Sequence, residues 1–444
     1  MTLFKQVRFL TRLTKAFLEK WYWLILLGIL GGVVTYFCLP RIIKLIPIPQ
    51  KVIKIGILGK YTLLEIPDEI LNNLSRGLTK VGLDGTVKPD LASSWQISPD
   101  GLIYTFNFKQ KEFWNDSSEF KPEDVNYNFK DAKILPIDFQ TLKIKLNENF
   151  APFLTVVSQP IFKKGLIGVG DYRVEKIERS GQILKSILLA PIKKESQKPK
   201  LLYRFYINLD YLKTAFKLGE IDQISNLDSD NQFAGWQNVS YSLSQNDLQH
   251  LVLFFNTKKD PFSEKNFRQA VTYSLAKETG KKRSLGPLSH LSWAFNPGIK
   301  RYEKDLANAK LLLANIKLKP ETVFTLNTFP NLENEANKIK DQLADLGIKT
   351  EVKLSTYSPD DFDMFLTIVE IPKDPDQYLF WHTSQPYNIT HFSNPRIDKL
   401  LEDGRKTQDL EERKKIYFDF QRFLVEESPA VFLTYPSYYT LIRK

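Results

Sequence analysis

The chain has 444 residues, of which 43% are hydrophobic and 25% charged, and its formal net charge is +11. This length allows two or three lobes, and the composition excludes both a disordered chain and a polytopic membrane protein. Before residue 51, seven basic residues stand against one acidic residue, so more than half of the positive excess lies in the N-terminal tail. The remaining charge is dispersed, which argues against a nucleic-acid-binding protein.

Residues 21–39 contain no charge and are long enough to cross a bilayer as one helix. The basic segment 1–20 is predicted to stay cytoplasmic, which places the rest of the chain outside the membrane. Large residues precede Pro40, whereas signal peptidase prefers small ones, and Phe37 before Cys38 argues against a lipoprotein signal. We therefore predict an uncleaved single-pass anchor, followed by a proline-containing stiff spacer over residues 40–50.

The next clear pattern is a hairpin between Trp95 and Phe108. Tyr104, Phe106 and Phe108 alternate with polar positions, as expected for a strand with one apolar face. The turn before this strand, residues 98–101, has the sequence Ser-Pro-Asp-Gly, in which proline fixes φ and glycine allows a positive φ. The pattern predicts two short antiparallel strands.

Helical spacing and capping residues predict several helices further along the chain. These helices are expected to begin near Pro122, Asp210, Ser263, Leu306 and Asp409. Residues 333–354 predict a helix that ends at Gly347 and continues into a half-exposed strand. The alternation of strands and helices indicates a mixed α/β fold.

Motifs of common enzyme classes are absent from the sequence. There is no GxSxG, phosphate-binding loop, HExxH or GxGxxG motif. Asp360, Asp361 and Asp363 follow Ser-Pro, and we interpret them as a solvated turn rather than a catalytic carboxylate pair. The single Cys38 excludes an internal disulfide, and His250, His290, His382 and His391 lack a partner motif. The sequence thus predicts a protein that is not an enzyme and has no metal site.

One long segment contains, in order, Pro89, Leu91, Ala92, Trp95, Asp100, Gly101, Tyr104, Phe106, Phe113, Asp116, Glu123, Asp124 and Val125. This series resembles the signature of the extracellular solute-binding proteins of family 5, the dipeptide- and oligopeptide-binding class of ABC transporter substrate-binding proteins. Further matches include the Gly-Glu-Ile-Asp element at 219–222, the segment 255–270, and Asp374-Pro375. The resemblance covers about residues 51 to 440.

The resemblance implies an α/β fold of the periplasmic-binding-protein-like type II (cluster C-like), with two lobes and a hinge after one N-terminal transmembrane helix. Lobe I is expected to contain 51–255 plus 429–444, with a smaller insert at about 81–167, and lobe II to contain 256–428. The function implied is capture of a peptide-like or other oligomeric solute between the lobes and its delivery to the permease of an ABC transporter. We expect a monomer without cofactor that binds no nucleic acid.

The ligand position departs from the family pattern. In peptide-binding members an aspartate holds the ammonium of the peptide, and in this chain its position is Ile371. An aliphatic side chain cannot provide the charge-assisted bond that a buried ammonium needs. We therefore predict a different set of cleft residues, namely Glu370, Trp381, Tyr387, Asn256 and Trp293.

Three alternatives remain open at this point. A degenerate family member that acts as a structural or docking module would bind no small molecule, and Ile371 favours this alternative. A surface-polymer binder would lose affinity steeply with salt. A membrane-tethered hydrolase would turn over glycans or peptides and lose activity on Asp361→Asn.

Overall fold

A computed structural model describes residues 3–45, 50–108, 111–193, 197–228, 232–233, 235–319 and 321–444. Two compact units can be distinguished, Met1–Lys51 and Val52–Lys444.

The described part of Val52–Lys444 contains eighteen β-strands. They are, in chain order, β1 (Val52–Leu58), β2 (Thr79–Val81), β3 (Val87–Pro89), β4 (Ser94–Ile97), β5 (Ile103–Asn107), β6 (Ala132–Pro136), β7 (Thr141–Leu146), β8 (Tyr172–Ser180), β9 (Ile183–Pro191), β10 (Lys200–Tyr206), β11 (Gln223–Leu227), β12 (Val239–Gln245), β13 (Gln249–Phe255), β14 (Val323–Thr328), β15 (Lys349–Leu354), β16 (Met364–Glu370), β17 (Ala430–Thr434) and β18 (Ser437–Arg443).

The α-helices are spread over both units. They are, in chain order, α1 (Leu3–Leu45), α2 (Asp68–Leu74), α3 (Phe153–Val156), α4 (Leu209–Leu218), α5 (Lys265–Ser274), α6 (Leu306–Leu313), α7 (Glu333–Ala344), α8 (Tyr378–Trp381), α9 (Pro395–Lys406) and α10 (Leu410–Glu427).

The N-terminal unit is dominated by α1. Within this helix, Gln6–Cys38 is long and apolar enough to cross a membrane, a property shared by membrane anchors and secretory signal sequences. The helix continues beyond the predicted anchor to Leu45 and thus includes the first part of the predicted spacer. Pro40 lies within this helix, although a proline in a helix interior removes one backbone hydrogen bond. Residues 46–49 of the predicted spacer lie outside the described residues.

The second unit contains two central sheets, one in each lobe. The sheet of lobe I has seven strands in the order β12-β18-β11-β1-β10-β9-β8, and that of lobe II has five in the order β15-β14-β16-β13-β17. The last strand of the chain, β18, lies in the seven-stranded sheet together with the first, β1. The mixed α/β character predicted from the sequence is thereby confirmed.

The strand pairing differs from the predicted lobe boundaries. Strand β13 pairs along its whole length with β16, from Gln249 opposite Glu370 to Phe255 opposite Met364, and β17 also pairs with β13. Both strands, which fall within the predicted bounds of lobe I, therefore lie in the five-stranded sheet, and the chain passes between the two sheets at 246–248 and at 435–436. Apolar runs such as these fit the centre of either sheet, so the sequence alone does not assign them.

The predicted hairpin is present in the smaller insert of lobe I. Its strands β4 and β5 pair with Trp95 opposite Phe106, and β5 continues into a four-stranded sheet with the order β4-β5-β7-β6. Tyr104 and Phe106 are fully buried in the core of the insert. Gly101 adopts a φ of 71° in the turn, which is the positive value that the Ser-Pro-Asp-Gly sequence predicts.

Most of the predicted helices form, with one clear exception. The predicted helix at Pro122 is only one 3₁₀ turn, Pro122–Asp124. The Asp124 carboxylate accepts hydrogen bonds from the backbone N–H of Lys121 at 2.8 Å and from Nε1 of Trp114 at 3.1 Å. Asp124 therefore caps a short turn and also holds this turn against Trp114 in the core of the insert. This tertiary contact outweighs the local helical pattern.

Candidate functional site

A cavity of about 180 Å³ lies in lobe II, between the inner sheet strands and α8 with the loop that follows it. Strands β13, β16 and β17 each contribute lining residues, and α8 with the loop after it contributes the opposite wall. The lining residues are His250, Phe254, Pro287, Val369, Glu370, Gln377, Phe380, Trp381, Tyr387, Ile389, Thr390 and Phe432.

Three of the five predicted cleft residues line this cavity, namely Glu370, Trp381 and Tyr387. Trp381 is almost fully buried, and its ring centroid lies 6.1 Å from that of Phe254 and 6.1 Å from that of Phe432. These three rings are contributed by α8, β13 and β17. The apolar wall is thus built by elements that are far apart in sequence.

Asn256 lies outside this lining and is buried in the turn after β13. Its backbone N–H donates to the carbonyl of Asp363 at 3.1 Å, and its side-chain oxygen accepts from the N–H of Lys258 at 3.2 Å. These bonds fix the end of β13.

Trp293 also lies outside the cavity and instead contacts the insert of lobe I. Its backbone N–H donates to the carbonyl of Asp84 at 2.9 Å. Gly85 follows with a φ of 78°, and a Cβ on this glycine would lie 2.3 Å from the carbonyl oxygen of Lys373 and 3.2 Å from the indole of Trp293. The hairpin tip between β2 and β3 therefore packs closely against lobe II.

Two functional candidates in the cavity were not predicted from the sequence, His250 and Gln377. His250 is 4% exposed, and its Nδ1 lies 3.3 Å from the hydroxyl of Ser284. Burial lowers the pKa of His250 to about 3, so that the imidazole is neutral at physiological pH. Its ring packs against Phe432, which makes it part of the apolar wall.

Gln377 is 3% exposed and immediately precedes α8. Among the described residues, its Nε2 has no hydrogen-bond partner. A buried donor without an acceptor costs about 1–3 kcal/mol, so such groups are usually paired or wait for a partner. The sequence signal that could have identified Gln377 is its position two residues after the Asp374-Pro375 motif of the family resemblance.

The orientation of α8 depends on a buried ion pair. Arg413 donates to Asp374 through Nη1 at 3.0 Å and Nη2 at 2.6 Å, and through Nε to the carbonyl of Gly404 at 2.7 Å. Asp374 in turn accepts from the N–H of Asp376 at 2.9 Å, and Asp376 accepts from the N–H of Tyr378 at 3.0 Å. This chain of bonds fixes the first residue of α8, and with it the positions of the cavity wall.

The Glu370 edge of the cavity is where lobe I reaches lobe II. Gln249 donates through Nε2 to Glu370 at 2.5 Å, and the hydroxyl of Tyr438 on β18 donates to Gln249 at 2.8 Å. Burial, with smaller effects of the charges on Asp228 and Glu370, raises the pKa of Tyr438 to about 12. The phenol therefore stays neutral and keeps its hydrogen to donate.

Ile371 is 4% exposed, and its N–H donates to the carbonyl of Leu248 at 2.7 Å in the first crossing segment. The position that carries the ammonium-binding aspartate in the family resemblance is therefore an apolar, buried position next to the crossing between the lobes.

A second, larger cavity of about 950 Å³ lies between the insert of lobe I and α8–α9 of lobe II. It is closed at one end by contacts between the two lobes. Asn149 donates to the carbonyl of Lys406 at 2.8 Å, Ala151 donates to the carbonyl of Arg405 at 2.7 Å, and Gln408 donates to Asn149 at 2.7 Å. The insert is thus bound to the end of α9.

The model of the bacterial extracellular solute-binding proteins of family 5 matches residues 86–139 and 130–389. The chain belongs to this family. A family 5 relative, the probable D,D-dipeptide-binding periplasmic protein DdpA of Escherichia coli, is 24% identical over 422 residues, which cover 81% of each chain.

Solved structures of other proteins are similar to this chain in fold. NikZ of Campylobacter jejuni in complex with Ni(L-His) matches with a TM-score of 0.74 and 23% identity, over 89% of this chain and 95% of NikZ. The ABC transporter substrate-binding protein CtaP of Listeria monocytogenes matches with a TM-score of 0.77 and 20% identity, over 89% and 94% of the two chains. These matches confirm the predicted periplasmic-binding-protein-like type II fold with two lobes.

Proposed function

We propose that this family 5 protein captures a small solute between its two lobes and delivers it to the permease of an ABC transporter. The observation that carries the proposal is the cavity of about 180 Å³ in lobe II, whose lining residue Glu370 is linked through Gln249 to Tyr438 of lobe I. A ligand in this cavity that also contacts lobe I stabilises the closed form by its higher affinity for that form.

The membrane-anchoring role of α1 belongs to the same proposal. Its segment Gln6–Cys38 has the length and apolar character of a single membrane span, and the basic residues before residue 21 favour a cytoplasmic N-terminus. An anchor of this kind keeps the binding protein close to its permease, where the effective concentration of the two partners is high.

The ligand is peptide-like or another small solute. The DdpA relative is named for a dipeptide and the NikZ structure holds Ni(L-His), so proteins with this fold accept different solutes. Ile371 argues against recognition of a free peptide ammonium at the position used by the family pattern, because an aliphatic side chain leaves that charge unpaired. Glu370 is the acidic residue in the lining that can take this role.

Hydrolysis is disfavoured by the contacts of the acidic cluster. Lys259 pairs with Asp361 at 2.8 Å and with Asp363 at 3.1 Å. Asp363 also accepts from the backbone N–H of Thr325 at 2.8 Å. Asp363 is thus occupied in joining β14 to the loop before β16, which supports a structural role for this cluster and a binding function for the protein.

Native mass spectrometry of the full-length protein in lipid nanodiscs tests the proposal. We expect a bound small solute that is released by mild unfolding and is absent from an empty nanodisc control. A protein that carries no solute, and whose small-angle scattering does not change when candidate peptides are added, would instead be the docking module.

Replacement of Trp381 by phenylalanine is expected to weaken binding of the released solute about tenfold, because the smaller ring leaves part of the cavity unfilled. Intrinsic tryptophan fluorescence should report the ligand in the wild type, since Trp381 forms one wall. The matched control is Trp236→Phe, since Trp236 packs on Phe233 in lobe I, away from the cavity. An unchanged affinity in Trp381→Phe would remove this residue from the binding site.

Gly85→Ala is expected to favour the open form, because its Cβ would lie 2.3 Å from the carbonyl oxygen of Lys373. Ligand affinity should fall about tenfold, and the radius of gyration measured by small-angle scattering with ligand should increase. Gly165→Ala is the control, since Gly165 has a similar positive φ of 84° and its Cβ would contact nothing within 4 Å. Equal effects of the two substitutions would mean that backbone strain, and not the contact between lobes, determines the result.

A further inference from the structure

Another cavity, of about 250 Å³, lies at the end of the five-stranded sheet where the parallel strands β14 and β15 begin. Its lining residues come mainly from the segment between α6 and β14 and from the link between α7 and β15. Because β14 also runs parallel to β16, the last residue of β16, Glu370, lies at the opposite end of this sheet. The cavity is therefore separate from the candidate site beside α8.

The buried part of the lining is apolar. Phe324 and Ile348 are 5% and 2% exposed and belong to the core of lobe II, and the half-buried Leu318 and Leu346 pack against the same core. An apolar cavity of about 150 Å³ is large enough to bind benzene, and the cavity here is larger, at about 250 Å³. It has room for an apolar body of about six to nine carbon atoms.

The exposed part of the lining is positively charged. Lys319 and Lys349 are both exposed, and the described lining residues include no aspartate or glutamate. Within the described part of the chain, neither lysine forms an ion pair. Asp345, which precedes the lining residue Leu346, pairs instead with Lys304 at 3.5 Å. Both ammonium groups are therefore open to an anion from solution.

The two parts of the lining together favour one class of ligand. An organic cation would be repelled by both lysines, and an inorganic anion would gain nothing from the apolar wall. A neutral hydrocarbon would fill the cavity but would not use the charges. An organic anion uses both parts, because its apolar body is removed from water while its charged group stays exposed beside the lysines and keeps most of its hydration.

We propose that this cavity is a separate ligand site, which binds an organic anion with an apolar body of about six to nine carbon atoms. The apolar body packs against Phe324 and Ile348, and the anionic group pairs with Lys319 and Lys349 at the surface. The inference goes beyond the proposed function and does not depend on it, since the site lies at the opposite end of the sheet from Glu370.

Methyl NMR tests the proposal on the full-length protein in phosphatidylcholine nanodiscs, with the δ1 methyl groups of isoleucine labelled. The probes share one carbon skeleton: 3-phenylpropanoate is an anion, 3-phenylpropan-1-ol is neutral and 3-phenylpropylammonium is a cation. At measured free probe concentrations, we expect the Ile348 signal to report the anion binding about three- to tenfold more tightly than the alcohol, and the cation most weakly. An Ile348 signal that no probe shifts, or equal affinities of anion and cation, would overturn the proposal.

The double variant Lys319→Gln/Lys349→Gln removes both charges and keeps the apolar wall. We expect the affinity for 3-phenylpropanoate to fall about three- to tenfold, while the alcohol binds as in the wild type and so shows that the cavity is intact. The matched control is Lys340→Gln/Lys353→Gln, at exposed positions of α7 and β15 outside the lining, which removes the same charge and should leave the affinities unchanged. Equal losses in the two double variants would contradict a specific role of Lys319 and Lys349.

The substitution Thr322→Phe tests whether the anion enters the cavity. Thr322 is a half-buried lining residue, and a phenyl ring at this position fills the space while both lysines remain. We expect neither 3-phenylpropanoate nor the alcohol to shift the Ile348 signal, while isoleucine signals of lobe I remain at their wild-type positions. Undiminished binding of the anion would place it on the surface and not in the cavity, and the proposal would be wrong.

Discussion

Replacement of Asp374 by asparagine is expected to lower the free energy of unfolding by about 3–5 kcal/mol, the usual cost of leaving a buried charge without its partner. Asp374 and Arg413 are both almost fully buried and share two hydrogen bonds, at 2.6 and 3.0 Å. Asparagine keeps the shape of the side chain but removes the negative charge. Urea unfolding of the full-length protein, followed by far-UV circular dichroism, measures the change.

The electrostatics of Arg413 support this expectation. Burial disfavours the charged guanidinium, but the carboxylate of Asp374 outweighs burial, and the net result is a raised pKa for Arg413. Arg413 therefore stays charged in the variant and has no carboxylate beside it. A protonated histidine or lysine could avoid this cost by losing its proton and becoming neutral. Arginine cannot do so at any physiological pH.

The control for this prediction is Asp403→Asn. Asp403 pairs with Lys399 at 2.7 Å on the exposed surface of α9, and such pairs contribute about 0–1 kcal/mol. Since Asp374 also fixes the start of α8, its substitution should weaken binding of the solute found by mass spectrometry, whereas Asp403→Asn should not. A loss in Asp374→Asn no greater than that in the control would show that the ion pair does not determine the stability of lobe II.

The parts of the fold that could be predicted are those fixed by local chemistry. The hairpin followed from a turn that demands a positive φ and from strict alternation, and the structure has Gly101 at 71° and both Tyr104 and Phe106 buried. Asp409 was expected to start the long helix, and its carboxylate accepts from the N–H of Glu412 at 2.8 Å. In these cases a few neighbouring residues contain all of the information.

The parts that could not be predicted depend on distant partners. Strands β13 and β17 are apolar along their length, and only their pairing with each other and with β16 assigns them to lobe II. At Pro122 the local signals favoured a longer helix, but Asp124 is held by Trp114 and ends the helix after one turn. Local propensity is a weak guide where a side chain finds a tertiary contact.

The candidate site likewise contains some residues that the sequence identifies and others that only the structure reveals. Trp381 and Tyr387 were recognised as side chains with an apolar body and a polar tip, and both line the cavity. His250 stands within an apolar strand, where nothing in the sequence distinguishes a neutral buried imidazole from an exposed one. The missing partner of Gln377 is visible only when the surrounding atoms are placed.

Acidification is expected to destabilise lobe II through His250. In the unfolded chain His250 has the ordinary histidine pKa of 6.5. In the folded protein, burial lowers the pKa of this residue to about 3. The unfolded state therefore takes up a proton first as the pH falls below 6.5, so the stabilisation by the neutral imidazole is complete above pH 6.5 and is lost progressively down to about pH 3. At pH 5 the loss amounts to about 2 kcal/mol.

The measurement is the difference between the wild type and His250→Gln, which retains a polar group for Ser284 but does not titrate. Urea unfolding at pH 7 and pH 5 should show that the wild type loses about 2 kcal/mol more than the variant, while carboxylates that titrate in both proteins cancel. His391→Gln is the comparison: partial burial and the charge of Lys258 also lower the pKa of His391, but this residue is exposed, so its substitution should reduce the pH dependence less than His250→Gln does. Parallel pH dependences of wild type and His250→Gln would show that the folded protein accommodates the imidazolium. In that case water reaches the imidazole beside Phe432, and the cavity wall at this point is hydrated.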